Sequence, residues 1–583
     1  MAQLAVVPEP IDRYVGTLVG ESTSREFRLA IAHEALREQD IIAVDAELRR
    51  PDNGDTEQIR VWAKVQRIER INPLFPMEAG HELAATHTNP LETVLSLSRE
   101  MVTAVCQVLG AEPLAGGGGG KLDHLRYPAQ PATTAYRPSS EDIARVVLGE
   151  LQQKKGRALD IATLANRSDV DVFADGHAIV TRHLAILAMT GAGKSWSARR
   201  IIEQLAAKSY PIVIFDPHGD YSGLAEVPSL TSRVRRYFAQ FPIFEQEAET
   251  VATVVESLGW GMAKTHRERF DELFAGAKAF ILADAKDVTE RTRWLSDYLG
   301  NPEIARYGLK PDLFFLADFV HAVVSAGKRD DAEGMNLLVE WSGDRERLRV
   351  SKQQAGWLEG LPGNLRRGAK RLKQMEDISR KAARTSDPLP LDRTGLVRYG
   401  QISVVALAGY HSDFQATIYS LIADAIFSAR VSSELGLPVL FVLEEAHNFA
   451  PAKATTAAEI HSIATTKQIA QEGRKFGVGL ILISQRPSRL DETTLSQCNS
   501  YVIMRMSNPA DQNYVRRVIE TLGEDEAKML PDLDVGEAIL SGQIINFPVL
   551  VRMKPPVSQG EREEEDAFEA LEKARRAMNS ATR

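Results

Sequence analysis

Residues 184–195, LAILAMTGAGKS, run a short apolar strand into a glycine-poised loop ending in Gly193-Lys194-Ser195. Apolar and β-branched residues precede the loop, and helix formers from Ala198 to Leu205 follow it. A strand, a loop and a helix N-terminus in that order form a cradle for a nucleoside triphosphate. Backbone N–H groups point at the phosphates, and the helix dipole favours negative charge there. Thr190, Gly191, Ala192, Gly193, Lys194 and Ser195, with Trp196 behind them, are the candidate nucleotide-binding residues. Lys194 is placed to reach the β- and γ-phosphates of ATP, and the Ser195 hydroxyl to ligate Mg²⁺. The first glycine of the usual pattern is replaced by Ala188. A turn with an incidental lysine is the bland alternative.

Working outward, alternating strands and helices surround this loop. LAILA (184–188), IVIFD (212–216), ISVVALA (402–408), PVLFVLE (438–444), VGLILIS (478–484) and YVIMRM (501–506) are the strand candidates. Most are continuously apolar, as expected of parallel strands covered on both faces. The expected fold class is therefore α/β. Residues 12 to about 75 alternate in the manner of short strands with turn signals between them, which predicts a small β-barrel. Gly116 to Gly120 predict a flexible connection, and DVFADGHAIV reads as a further strand. The stretch 230–400, rich in Ala, Leu, Glu, Lys and Arg, reads as a helical insertion. This divides the chain into a barrel (1–110), a linker and lead-in (111–180), a core in two parts (181–229 and 401–555) around the insertion, and a charged tail (556–583).

Two strands of the core end in acids. VLFVLEEAHNF (439–449) delivers Glu444 and Glu445, the first suited to the metal-bound water shell and the second to polarising the attacking water. Capping of a helix N-terminus is the alternative. IVIFDPHGDY (212–221) ends in Asp216, a candidate to orient the metal water or a catalytic side chain. In QEGRKFGVGLILISQRPSRLD (471–491), Gln485 closes a buried strand and can sense the γ-phosphate. Arg474 and Lys475 stand at the opposite end of that strand, out of reach of their own nucleotide. They either serve a neighbouring subunit or form a solvated pair at a helix end.

With 583 residues, 44% hydrophobic and 26% charged, the chain reads as an ordinary multidomain globular protein. A net charge of −9 argues against a uniformly basic nucleic-acid coat and leaves room for a local basic channel. Cys106 and Cys498 supply neither a disulfide framework nor zinc spacing. No apolar run reaches the ~18–20 residues of a membrane span, and the N-terminus does not read as a signal peptide, so the expectation is a cytoplasmic protein without a membrane partner.

Together AMTGAGKS, DPHGDY, LEEAHNFAP and EGRKFGVGLILISQRPS, in this order, resemble the HerA-type hexameric ATPases of the FtsK–HerA branch of P-loop motors. The resemblance implies a RecA-like P-loop NTPase core, ATP bound at subunit interfaces of a homohexamer, and double-stranded DNA threaded through a central pore. It implies Glu445 as catalytic base, Gln485 as sensor, Arg474 as trans-acting finger, and Arg182 as a second arginine at the nucleotide. It also implies a partner nuclease or sirtuin-like effector, in DNA processing or phage defence. For DNA, the segment 451–471 offers Lys453 and Lys467 as backbone contacts. The basic run Arg366, Arg367, Lys370, Arg371 and Lys373 reads more readily as a solvated helix face. A nucleotide-gated ring scaffold that activates an effector, with little helicase activity, uses the same motifs and stays open as the alternative.

Overall fold

The computed structural model describes residues 13–31, 35–49, 56–71, 101–114, 120–149, 151, 154–258, 262–282, 288–300, 310–343, 347–385, 387–390, 392–558 and 567–581. They divide into two compact units. The first comprises 1–212, 438–442 and 469–559, the second 213–437, 443–468 and 560–583. Of the poly-glycine connection expected at 116–120, residues 116–119 lie outside the described residues, and Gly120 is buried with φ 79°.

The first unit opens with a closed barrel of β1 (Tyr14–Ser22), β2 (Glu26–Ile31), β3 (Ile41–Arg49), β4 (Thr56–Ile71), β5 (Met101–Pro113) and β6 (Thr134–Tyr136), ordered β1-β2-β5-β4-β3-β6. Alternation dictates it: along β2, Phe27 and Leu29 point inward while Glu26 and Arg28 face out. The inward set includes Val15, Leu18, Val44, Val61, Val65 and Cys106. The closing strand β6 comes from the stretch read as linker. It contributes only three residues, too few for a periodicity signal.

The barrel is fastened to the rest of its unit by an internal ion pair. Lys64 Nζ on β4 lies 2.5 Å from Glu526 Oε1, with side-chain exposures of 2% and 7%. Lys64 Nζ also donates to the Pro548 carbonyl at 3.3 Å.

The remaining strands of this unit are β7 (Ala158–Leu164), β8 (Asp171–Asp175), β9 (Leu184–Leu187), β14 (Val478–Ser484), β15 (Ser500–Met504), β16 (Glu537–Gly542) and β17 (Val549–Met553). Strand β9 is flanked by β14 and β15, both parallel to it. Beyond β15 the sheet continues antiparallel through β16, β17, β7 and β8. Strands β7 and β8 thus extend the core sheet from the stretch expected to be lead-in. DVFADGHAIV is not one strand: Asp175 accepts the His177 N–H at 2.9 Å and starts the helix Gly176–Arg182.

In the second unit, β11 (Val234–Phe238), β12 (Ile402–Ala406) and β10 (Ile212–Asp216) lie side by side. Strand β11 falls inside the expected helical insertion. Its sequence, VRRYF, carries two arginines and makes a charged edge strand parallel to β12. Helices Ala248–Ser257, Lys264–Leu282, Val288–Leu299, Leu313–Arg329, Ala332–Ser342, Lys352–Trp357 and Leu361–Ala383 make up the described rest of the insertion. Phe280 gathers Trp294, Phe315, Phe319 and Trp341 around it. The run of basic residues occupies one face of Leu361–Ala383. There Arg366 pairs with Asp318, Arg371 donates to the Leu258 carbonyl, and Lys373 lies 3.6 Å from Glu376 and Asp377. Among the described residues no helix is long and apolar enough to cross a membrane. The chain passes between the two units at β10 and at β13 (Val439–Leu443), and again within the helix Ala457–Phe476.

Candidate functional site

The phosphate loop belongs to the first unit. All four residues of β9 are fully buried, and the chain leaves the sheet at Ala188, whose N–H donates to Ser484 O at 3.2 Å. Gly191 (φ 80°) and Gly193 (φ 102°) take left-handed backbone that favours glycine. Ala188 is not among the positive-φ residues, which is why alanine serves where the usual pattern has glycine. Helix Lys194–Ala207 then begins with no side-chain cap, so its first N–H groups face the loop as donors for an anion. The Ala192 carbonyl accepts the Gly536 N–H at 3.1 Å, and Met504 Cε lies against Gly193 from behind. No atom lies within 4 Å of where a Gly191 Cβ would stand. Trp196 is 46% exposed on the first turn of the helix.

Gln485 closes β14 beside the loop, and its Oε1 accepts the Thr190 hydroxyl at 2.5 Å. Arg182 and Arg474 stand elsewhere. Arg182 ends the helix before β9, and Arg474 lies in the last turn of the helix before β14. At about 3.3 Å per residue, β9 alone sets Arg182 roughly 13 Å back from the loop, and β14 separates Arg474 from Gln485 by roughly 23 Å. Neither arginine reaches the loop of its own chain across these strands. The two are near each other: burial lowers the pKa of His177, and the charges of Arg157, Arg182 and Arg474 lower it further.

Between these arginines and the loop lies His183, a residue the sequence did not single out. It takes φ 60° and ψ 146°, a backbone region costly for any side chain. Its Nδ1 accepts the Leu480 N–H and its Nε2–H donates to the Ala470 carbonyl, both at 3.0 Å. Burial pushes it down from its ordinary 6.5 to about 4, so the ring is neutral. It joins the end of the Arg474 helix to the strand that ends in Gln485. A single histidine ahead of a strand carries no sequence signal for that role.

The acidic strand ends belong to the second unit. Asp216 Oδ1 accepts the N–H groups of His218 (3.2 Å), Gly219 (2.8 Å) and Asp220 (3.1 Å), and Oδ2 that of Tyr221 (3.1 Å). Burial raises its pKa to about 6 against the pull of these bonds. With both oxygens engaged by the turn, Asp216 is the scaffold of DPHGDY. The turn holds Tyr221, whose buried hydroxyl donates to Glu444 Oε2 at 2.6 Å. Glu444 in turn donates its N–H to Phe215 O at 3.3 Å. Glu445 sits beyond the strand with φ 50° and ψ 54°, 5% exposed, and His447 Nδ1 is 3.4 Å from its Oε2. Left-handed backbone at a buried glutamate is strain of the kind that collects at functional sites.

Lys453 is exposed in the loop after this pair, and Lys467 lies on the helix Ala457–Phe476, about 15 Å further along its axis than the first turn. Among the described residues no group of three or more His, Cys, Asp or Glu is placed to hold a metal ion. Mg²⁺ keeps most of its waters and takes one or two protein oxygens beside the phosphates, a role the Ser195 hydroxyl would fit.

Residues 159–296 match the family described as Helicase HerA, central domain. The chain is 26% identical over 576 residues to the DNA double-strand break repair helicase HerA of Pyrococcus furiosus, covering 93% of this chain and 92% of that protein. It is 28% identical over 437 residues to a probable DNA double-strand break repair helicase HerA of Methanocaldococcus jannaschii, covering 68% and 76%. Among solved structures, VirB4 of Thermoanaerobacter pseudethanolicus matches 68% of this chain and 96% of its own, at 13% identity and a TM-score of 0.39.

Proposed function

We propose that this ATP-hydrolysing chain, similar to HerA helicases over most of its length, works as a hexameric motor that translocates on or unwinds double-stranded DNA. Lys194 and the loop N–H groups would bind the phosphates, and Ser195 and Glu444 would hold Mg²⁺, which would supply neutralisation of charge on the transferring group. Glu445 takes the proton of the attacking water, and Gln485 reports on the γ-phosphate. Arg474, with Arg182 beside it, is supplied to the nucleotide of an adjoining protomer. The observation behind this reading is the position of those two arginines at the far end of the strands from their own loop. A ring brings one protomer's far end to the next protomer's near end. The matched relatives are named as DNA repair helicases, which supports DNA as the track. We assign any DNA cutting to a separate nuclease or effector, in DNA processing or phage defence, because no motif of this chain reads as a nuclease.

Strand displacement on a forked duplex tests the motor, with Lys194→Ala as the inactive control. Hydrolysis that ignores DNA and moves no strand would favour the scaffold alternative. Mixing Arg474→Ala with Lys194→Ala protein tests the shared site. Each is inactive alone, and mixed rings regain a fraction of wild-type ATPase; mixed rings with none refute the trans arginine.

A further inference from the structure

The DPHGDY turn (216–221) commits a buried carboxylate to holding main chain. Asp216 accepts four backbone N–H groups, the last of them that of Tyr221 at 3.1 Å. A turn ordinarily needs one side-chain oxygen of Asn, Asp or Ser, and that oxygen is usually at the surface. Two further bonds brace this one. The Ser222 hydroxyl donates to the Gly219 carbonyl at 3.0 Å, and the Leu407 N–H donates to the Asp216 carbonyl at 2.8 Å. Bracing of this density fixes where the Tyr221 side chain starts.

Tyr221 is fully buried, and its hydroxyl donates to Glu444 Oε2 at 2.6 Å. Glu444, also buried, follows β13, and its N–H donates to the carbonyl of Phe215, the residue before the turn. One motif therefore holds both ends of Glu444, its main chain through Phe215 and its carboxylate through Tyr221. A glutamate has one more rotatable bond than an aspartate, so an outside partner is needed to keep its carboxylate facing one way. A tyrosine hydroxyl does so as a neutral donor and leaves the negative charge in place, where lysine or arginine would cancel it. A charged, oriented carboxylate oxygen is the kind of donor that hydrated Mg²⁺ takes.

We propose that Tyr221 is a positioning residue for ATP hydrolysis, holding the Glu444 carboxylate in the orientation used with Mg²⁺ and nucleotide, and that the rest of DPHGDY serves to place its hydroxyl. The inference rests on the role given to Glu444 above. It does not depend on movement along DNA, because nucleotide binding and hydrolysis decide it.

Tyr221→Phe removes the hydroxyl and keeps the ring. Its kcat/KM for ATP with Mg²⁺ should fall about tenfold, the lower end of what partners of metal-holding residues contribute. Binding of a fluorescent ATP analogue to the full chain, with and without Mg²⁺, gives the second readout. The gain in affinity that Mg²⁺ brings to wild type should shrink about tenfold in Tyr221→Phe, while affinity without Mg²⁺ is kept. A tyrosine that only fills the core would leave that gain unchanged. Added to Glu444→Gln, Tyr221→Phe should cost nothing further, since it acts through that carboxylate alone. Asp216→Asn turns an amide donor toward the Tyr221 N–H, so it should reproduce the Mg²⁺ defect and decides the matter should Tyr221→Phe misfold. Wild-type turnover by Glu444→Gln refutes the role of Glu444, and this inference with it. An impaired Glu444→Gln beside an unaltered Tyr221→Phe, or effects of the two that multiply, overturns this inference alone.

Discussion

The Thr190 hydroxyl donates to Gln485 Oε1 at 2.5 Å, tying the phosphate loop to the strand beside it. A γ-phosphate arriving in the loop competes for both groups. Under the proposed function, exchange of this bond for phosphate contacts would give β14 a direct response to nucleotide, along a strand whose other end neighbours Arg474.

Gln485→Ala should lower the rate of phosphate release at saturating ATP by about 10²-fold, the scale of removing one positioned donor. Thr190→Val removes the tie and keeps the sensor, so its effect on kcat should be several-fold smaller. Steady-state phosphate release on both variants checks the order.

Glu445→Gln should abolish turnover by about 10²–10⁴-fold while ATP still binds, because the amide keeps the shape and loses the base. Filter binding of labelled ATP beside an ATPase assay separates the two. Equal loss of binding would place Glu445 in the fold alone.

Lys64→Met should destabilise the chain by about 3–5 kcal/mol, since Glu526 is left charged and buried. Adding Glu526→Leu should recover most of that loss. Denaturant midpoints of the two single variants and the double form the cycle.

Acid should loosen the joint at His183. Its folded value of about 4 lies below the ordinary 6.5, so the stability it contributes is present above pH 6.5 and is lost as pH falls through 4. The full difference is about 3 kcal/mol. Protonation puts a hydrogen on Nδ1, where the Leu480 N–H now donates. The Tm of wild type should therefore fall more steeply between pH 6.5 and 4 than that of His183→Asn.

The parallel strands were legible because LAIL, IVIFD, VLFVL and VGLILIS are buried at every position and bounded by turns. Four of the six barrel strands, β1 to β4, were legible within the stretch 12 to about 75, with the alternation plainest along β2. What escaped depends on distant partners. VRRYF becomes a strand because β12 offers an edge, and three residues at 134–136 do so because β1 and β3 leave a gap between them. The same applies at the site. Asp216 ends a strand as an acid should, but the N–H groups that engage it come from a turn whose closure the sequence does not reveal. His183 and the pair Lys64–Glu526 gain their roles only from residues hundreds of positions away.

Glu445 occupies a left-handed backbone that a glycine would take without strain. Glycine there should therefore raise the melting temperature even as it removes the carboxylate. Selection for thermal robustness alone, without demand for turnover, would drift toward such a hardier and inert protein.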